Sequence, residues 1–280
     1  MNNLIVVVNK EKDFTSRDVV NKLSKILNNK KIGHTGTLDP MATGVLVCLT
    51  GKYTKLVDLI TSFEKEYIAE IKLGVKTDTE DITGKIILEE EIPYLEEKHI
   101  NDVLKSFLGN YNQTVPIYSA VHVNGKRLYE YARNNESVLL PVREVNIKNI
   151  ELLNYENNII KFKVLVSKGT YIRSLIQDIC NKLEVIGTMN SLIRTKQGKF
   201  NIEKSYTLEE IQNNQYESLK LENVLDVNVI NIEDEQLLKK VINGNKLELN
   251  YDGYILFKKD NSNVALYYFE NSLGRLKILF

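Results

Sequence analysis

Cysteine and histidine are scarce in this chain: Cys48 and Cys180 are its two thiols, and His34, His99 and His122 its three imidazoles, among 280 residues. The cysteines stand far apart, each among apolar neighbours, so neither a disulfide framework nor a zinc cluster is expected. The histidines follow no metal-ligand spacing, and we expect no metal. With 14 glycines and 4 prolines the chain is not of low complexity. No apolar run approaches a membrane span. The polar start Met1-Asn2-Asn3, followed by the short Leu4-to-Val8 stretch, lacks the basic region and cleavage site of a signal peptide. These absences lead us to expect a cytoplasmic protein with no membrane contact. There is no Gly-x-x-x-x-Gly-Lys-Ser/Thr run, no Gly-x-Ser-x-Gly and no His-x-Glu with Pro-Cys-x-x-Cys. Phosphate-loop, serine-hydrolase and zinc-deaminase chemistries are thereby set aside.

Neither sign of charge is in excess, with 37 basic and 37 acidic residues, but the distribution is uneven. Residues 161–204 hold nine Lys or Arg against three Asp or Glu, and residues 1–60 hold nine against five, whereas residues 205–235 hold one against eight. A neutral protein can still present one basic face, and the local field is what draws a phosphate backbone. Lysines scattered over the surface account equally well for such counts taken alone.

What is present is concentrated in Gly33 to Gly44, Gly-His-Thr-Gly-Thr-Leu-Asp-Pro-Met-Ala-Thr-Gly, where three glycines, three threonines and one aspartate crowd twelve positions. Such a segment is expected to be irregular throughout. Glycine opens backbone angles closed to other residues, Pro40 keeps Asp39 out of the helical region, and threonine hydroxyls can bond the local backbone. An isolated Asp-Pro pair reads first as the start of a turn. Here Ile32 precedes the segment and Val45 to Leu49 follow it, which puts a fixed carboxylate at the edge of a core.

At this length the chain can bury a full core, as one large domain with a smaller one or as two domains. Leu4 to Val8 predicts a buried strand. Thr15 to Asp18 opens a helix whose apolar face is Val19, Val20, Leu23, Ile26 and Leu27. Val45 to Leu49 predicts a strand, Lys52 to Thr61 a helix, and the alternation Tyr67, Ala69, Ile71, Leu73 another strand. Thr77 to Asp81 reads as a polar surface loop and residues 96–108 as a helix. Asn124-Gly125 predicts a hairpin turn, and Asn157-Asn158 joins two strands over 144–155 and 159–166. In Lys168-Gly169-Thr170-Tyr171-Ile172-Arg173-Ser174, Tyr171 and Arg173 share a face only if the stretch is extended, so we expect both at the end of a strand preceding a helix. A core tyrosine and a snorkelling arginine are the plainer reading of that pair. The acidic 205–235 stretch, with a helix start at Thr207 to Glu210, marks a boundary before short strand-like runs. A carboxylate paired with an arginine suits a nucleophile better than an acid.

Gly33 to Gly44, Lys168 to Leu175, and Pro116 to Ala120 with Gly125 to Arg133 closely resemble three signature segments of the bacterial TruB-type tRNA pseudouridine synthases. The resemblance runs over essentially the whole chain in the same order. It implies isomerisation of uridine-55 in the T loop of transfer RNA to pseudouridine without a cofactor, by breaking the glycosidic bond at N1 and remaking it at C5. It implies an α+β pseudouridine-synthase fold, with a mixed, mainly antiparallel central sheet flanked by helices over residues 1–232. A small β-rich, PUA-like RNA-binding domain would occupy residues 233–280.

Carried over residue by residue, the resemblance makes Asp39 the catalytic aspartate and nucleophile, paired with Arg173, with attack at ribose C1′, attack at uracil C6 and prior removal of a ribose proton all left open. Tyr67 would stack on the target uracil, Tyr171 and Leu192 would line the base pocket, and His34 would fill the space the uridine leaves. The partner is the T arm of transfer RNA, and a monomer with no obligate protein partner is expected. The family usually shows Lys-Pro with a glycine two residues on, where this chain has Lys10-Glu11 and Asp13, which leaves that turn open. The related guide-RNA-dependent synthase is a third reading, not expected here because the N-terminal segment and lysine-rich tail that usually accompany that branch are not seen in this sequence. A non-catalytic tRNA-folding protein is the competing reading, against which the Asp39, Tyr67 and Arg173 set argues.

Overall fold

The computed structural model describes residues 3–280; Met1 and Asn2, part of the N-terminal stretch read above for a signal peptide, lie outside the described residues. The strands follow in chain order as β1 (Ile5–Lys10), β2 (Ile32–His34), β3 (Thr43–Thr50), β4 (Lys65–Leu73), β5 (Val75–Thr77), β6 (Ile86–Glu89), β7 (Gly109–Thr114), β8 (His122–Val123) and β9 (Lys126–Arg127). They continue as β10 (Val142–Glu156), β11 (Ile159–Val166), β12 (Gly187–Gln197), β13 (Phe200–Asn201), β14 (Val227–Asn231), β15 (Leu247–Glu248), β16 (Gly253–Lys259), β17 (Ser262–Glu270) and β18 (Leu273–Leu279). The helices that bear on the site are α1 (Ser16–Ile26), α2 (Val57–Thr61), α3 (Glu97–Lys105), α4 (Leu128–Arg133) and α5 (Ile172–Lys182).

One nine-stranded sheet runs β1-β3-β12-β4-β11-β10-β7, with β2 added to β3 and β13 to β12. Its pairings are antiparallel except for β3 with β12, so the sheet is mixed and mainly antiparallel as expected. Local chemistry sets these elements. Thr15 and Asp18 form a reciprocal capping box at the start of α1, each backbone N–H bonding the other's side chain at 3.0 Å. Asn157 and Asn158, at φ 51° and 59°, make the two-residue turn between β10 and β11. Burial in β4 alternates in phase with Tyr67, Ala69, Ile71 and Leu73. α5 lies over that face, and Leu175, Ile176 and Ile179 join the same core cluster.

A second, five-stranded sheet runs β14-β16-β17-β18-β15. It opens with β14, so the chain joins this sheet at Val227. Leu256, Leu266 and Ile278 pack in one cluster with Ile5, Val45, Val47 and Leu49 of the large sheet, and Tyr53 meets Phe280 edge to face at 5.4 Å.

Several local expectations are corrected. Gly33–His34 and Thr43–Gly44 are strand residues, so only residues 35–42 of the glycine-rich segment are irregular. Thr77 to Asp81 is not a surface loop, because Thr77 and Asp81 are buried and Thr77 Oγ1 lies 2.9 Å from Thr188 Oγ1. The Lys52-to-Thr61 helix begins as a 3-10 turn, Gly51–Leu56, before α2.

Gly44 shows why the segment needs a glycine where β3 meets β12. It sits at φ +98°, and a Cβ there would lie 2.3 Å from the Arg194 carbonyl oxygen. Gly44→Ala is expected to cost about 2–4 kcal/mol, from a left-handed backbone plus overpacking. Urea unfolding reads this as a lowered midpoint at unchanged slope; a loss under about 0.5 kcal/mol, the scale of an inert surface change, would contradict it.

Candidate active site

The 35–42 loop is held from both sides. Thr35 N–H bonds Val47 O at 3.1 Å, and the buried Gln197 amide donates to Thr35 O at 2.9 Å and to Ile60 O at 3.0 Å. Ser16 accepts from Leu38 N at 2.9 Å, and Ala42 N–H bonds back to Asp39 O at 3.0 Å. Beneath Asp39, the fully buried Lys10 ammonium donates to the carbonyls of Glu11 (2.9 Å), Phe14 (2.6 Å) and Pro40 (3.0 Å). Burial pushes its pKa down to about 8, against the opposing pull of Asp13 and Asp39. The turn left open by the missing glycine is made by Asp13 itself, at φ 69°, whose N–H bonds Pro40 O at 2.9 Å.

Asp39 faces Arg173. Arg173 Nε lies 3.0 Å from Asp39 Oδ2, and Nη2 donates to Asp39 Oδ1 at 3.4 Å, a side-on pair through two nitrogens. The guanidinium also donates to Tyr118 O at 2.9 Å and Thr79 O at 3.3 Å. Its side chain is 7% exposed and that of Asp39 31%, so the arginine is embedded and the carboxylate is open on one side. Arg173 is in the first turn of α5, and Tyr171 is the residue that caps it. This corrects the strand-end placement: β11 ends at Val166, Gly169 turns the chain at φ +88°, and helix geometry sets the two side chains. The buried Gln113 clamps the entry to α5, donating to Tyr171 O at 3.0 Å and accepting from Tyr171 N at 2.8 Å.

These elements enclose a cavity of about 500 Å³ whose walls include Asp39, Lys65, Tyr67, Tyr118, Tyr129, Lys168, Tyr171, Arg173, Leu192 and Arg194. Five of the six expected site residues thus meet at one place. Tyr67 and Leu192 are buried on neighbouring strands, and burial pushes the Tyr171 phenol above its ordinary value. His34 is the exception. It ends β2 opposite Cys48, half-buried and outside the cavity wall, with Nδ1 buried and unbonded. Burial, followed by the Arg194 and Arg17 charges, pushes its pKa down. Among the described residues no three His, Cys, Asp or Glu side chains converge as a metal-ligand set. Lys10, Lys65, Gln113 and Arg194 were missed from the sequence. Lys65 and Arg194 carried a signal, since each lies two residues from a buried neighbour, Tyr67 or Leu192, in an alternating strand.

The model for the N-terminal domain of TruB family pseudouridylate synthases matches residues 24–172, and that for the tRNA pseudouridylate synthase B C-terminal domain matches residues 173–244. The chain belongs to the TruB family of pseudouridylate synthases. The two matches divide between Ile172 and Arg173, so the cavity wall draws Asp39, Tyr67 and Tyr171 from the first and Arg173 and Leu192 from the second. The tRNA pseudouridine synthase B of Caldanaerobacter subterraneus is 41% identical over 264 residues, covering 94% of this chain and 90% of that protein. That of Mesoplasma florum is 38% identical over 277 residues, covering 97% and 95%. Among solved structures, a chain of a Cbf5-Nop10-Gar1 complex superposes with a TM-score of 0.72 at 25% identity, over 99% of this chain and 84% of that one. A pseudouridylate synthase is an isomerase: the uracil of a uridine is detached from its ribose at N1 and rejoined to it through C5. No helix among the described residues is long and apolar enough to cross a membrane.

Proposed function

We propose that this chain converts uridine-55 in the T loop of transfer RNA to pseudouridine, with Asp39 as the catalytic nucleophile. The observation that carries this reading is the Asp39–Arg173 pair at the wall of a cavity of about 500 Å³, within the range of single-ligand sites. The carboxylate is partly open to the cavity while its partner is sealed behind it, which is what a group that must meet substrate requires. The curated relatives named as tRNA pseudouridine synthase B supply the substrate class. A glycosidic bond inside a folded T loop is out of reach, so the nucleotide is extruded at a cost of a few kcal/mol. Stacking on Tyr67, about 1–3 kcal/mol per base, offsets it. Tyr171 and Leu192 line the base pocket, Arg173 orients Asp39, and His34 fills the gap left in the loop. We further propose a catalytic domain followed by a PUA-like RNA-binding module that begins with β14 at Val227 rather than at 233, because that strand pairs with β16, in a cytoplasmic monomer that needs no cofactor or obligate protein partner.

Tritium release from transfer RNA labelled at C5 of uridine tests the assignment. One tritium per molecule is expected, and none when the T-loop target uridine is replaced by cytidine. Release that survives that replacement would place the reaction at another uridine; tight binding with no release would favour the tRNA-folding reading.

A further inference from the structure

The cavity holds more positive charge than its chemistry with Asp39 uses. Asp39 is matched by Arg173, yet Lys65, Lys168 and Arg194 also line the walls, and none of the three has an ion-pair partner among the described residues. Arg194 is 1% exposed, donating to Val45 O at 2.6 Å and Gly36 O at 3.1 Å. Lys65 is 8% exposed, and its ammonium donates to Thr61 O at 2.9 Å and Phe63 O at 2.8 Å. An ammonium has three N–H donors, so one remains. Lys168 is exposed at the mouth and makes no hydrogen bond among the described residues. Gly36 sits between the two buried cations: a Cβ on it would lie 3.5 Å from Arg194 Nη1 and 3.6 Å from Lys65 Cε.

Buried cations without a counter-charge are costly, and Lys65 is repelled by both Arg194 and Lys168. Burial, with the Arg194 and Lys168 charges adding to it, pushes the Lys65 pKa down to about 8. A fold that concentrates cations beside a substrate cavity, without carboxylates to answer them, leaves the answering charge to the substrate.

Resting on the reading of the site given above, we propose that Lys65 and Lys168, backed by the fixed charge of Arg194, form an anion subsite for one of the two phosphodiesters that flank the flipped nucleotide. Lys65 gives its remaining N–H to a phosphate oxygen, Lys168 closes on the same group from the mouth, and the pair fixes the sugar relative to Asp39. Base stacking on Tyr67 and phosphate capture at Lys65 then hold the nucleotide at both ends, so the ribose between them is presented to the carboxylate.

The test uses T-arm RNA carrying C5-tritiated uridine at the target, with a neutral methylphosphonate at the 5′ or the 3′ linkage of that nucleotide. These are assayed with the wild-type chain, Lys65→Met and Lys168→Met. At one linkage the neutral group is expected to lower kcat/KM by about 10- to 100-fold, the worth of a charge-assisted hydrogen bond. Lys65→Met lowers it similarly on the natural RNA, and combining the two costs little beyond either alone. Losses that multiply, or no loss at either linkage, overturn the subsite. Lys168→Met, which removes no internal bond, must show the same coupling at the same linkage, so misfolding of Lys65→Met cannot decide the matter. No release from unmodified RNA overturns the reading of the site and the subsite with it; release with multiplying losses overturns the subsite alone.

Discussion

Asp39→Asn is expected to stop pseudouridine formation and to leave transfer RNA bound. The substitution is nearly isosteric, and the amide oxygen of the introduced asparagine can still accept from Arg173, so the loop held by Lys10, Ser16 and Gln197 keeps its shape. What disappears is the charge and, on the proposed function, the nucleophilic oxygen. Loss of a group on which bond-making depends lowers turnover by about 10⁴-fold or more. The stability cost is smaller than for a sealed ion pair, because the Asp39 side chain is 31% exposed and partly solvated; about 1 kcal/mol is expected. Binding to a polyanion is not weakened by removing a negative charge, and the salt dependence set by phosphate contacts is unchanged. Tritium release under single-turnover conditions, beside filter binding of the same RNA, separates the two effects. A variant that retains a tenth of the wild-type rate would remove Asp39 from the chemistry.

The large sheet was legible because its strands carry their own marks: β4 alternates, β10 and β11 are joined at a two-residue asparagine turn, and α1 announces itself with a capping box. Asp39 was legible for a different reason, since glycine and proline crowd a segment flanked by buried strands. The misreadings have separate causes. Thr77 and Asp81 look like solvent residues, but Thr77 donates to Asp81 O at 2.7 Å and lies against Thr188, so local bonds replace water. Arg173 was assigned to a strand by period-two spacing, whereas the positive φ of Gly169 turns the chain and starts α5 early. Gln113 was invisible because its partner, the Tyr171 backbone, lies 58 positions away and has no side-chain signature. Lys65 and Arg194 were readable in principle: a basic residue in phase with buried positions either snorkels or is held inside, and the pairing of Tyr67 with Arg194 across β4 and β12 decides for the second.

Arg173→Met is expected to damage both folding and catalysis, and Arg173→Lys separates them. The guanidinium ties three acceptors from distant parts of the chain, the Asp39 carboxylate, Tyr118 O and Thr79 O, from a side chain that is 7% exposed. Methionine fills much of the volume but leaves two carbonyls and a partly buried carboxylate without a donor. Breaking a buried pair from one side costs about 3–5 kcal/mol, and the partial exposure of Asp39 places the expected loss toward the lower end. A misaimed carboxylate lowers the single-turnover rate by about 10²- to 10³-fold, the scale seen when one preorganised donor is removed. Lysine restores the charge but cannot reproduce the planar fork that meets Asp39 through two nitrogens while also holding Tyr118 O. Arg173→Lys should therefore recover most of the urea midpoint and little of the rate. Combining Arg173→Met with Asp39→Asn should cost no more activity than Asp39→Asn alone, because Arg173 acts through the carboxylate. If Arg173→Lys instead turns over at the wild-type rate, positive charge alone suffices and the side-on geometry plays no part in aiming Asp39.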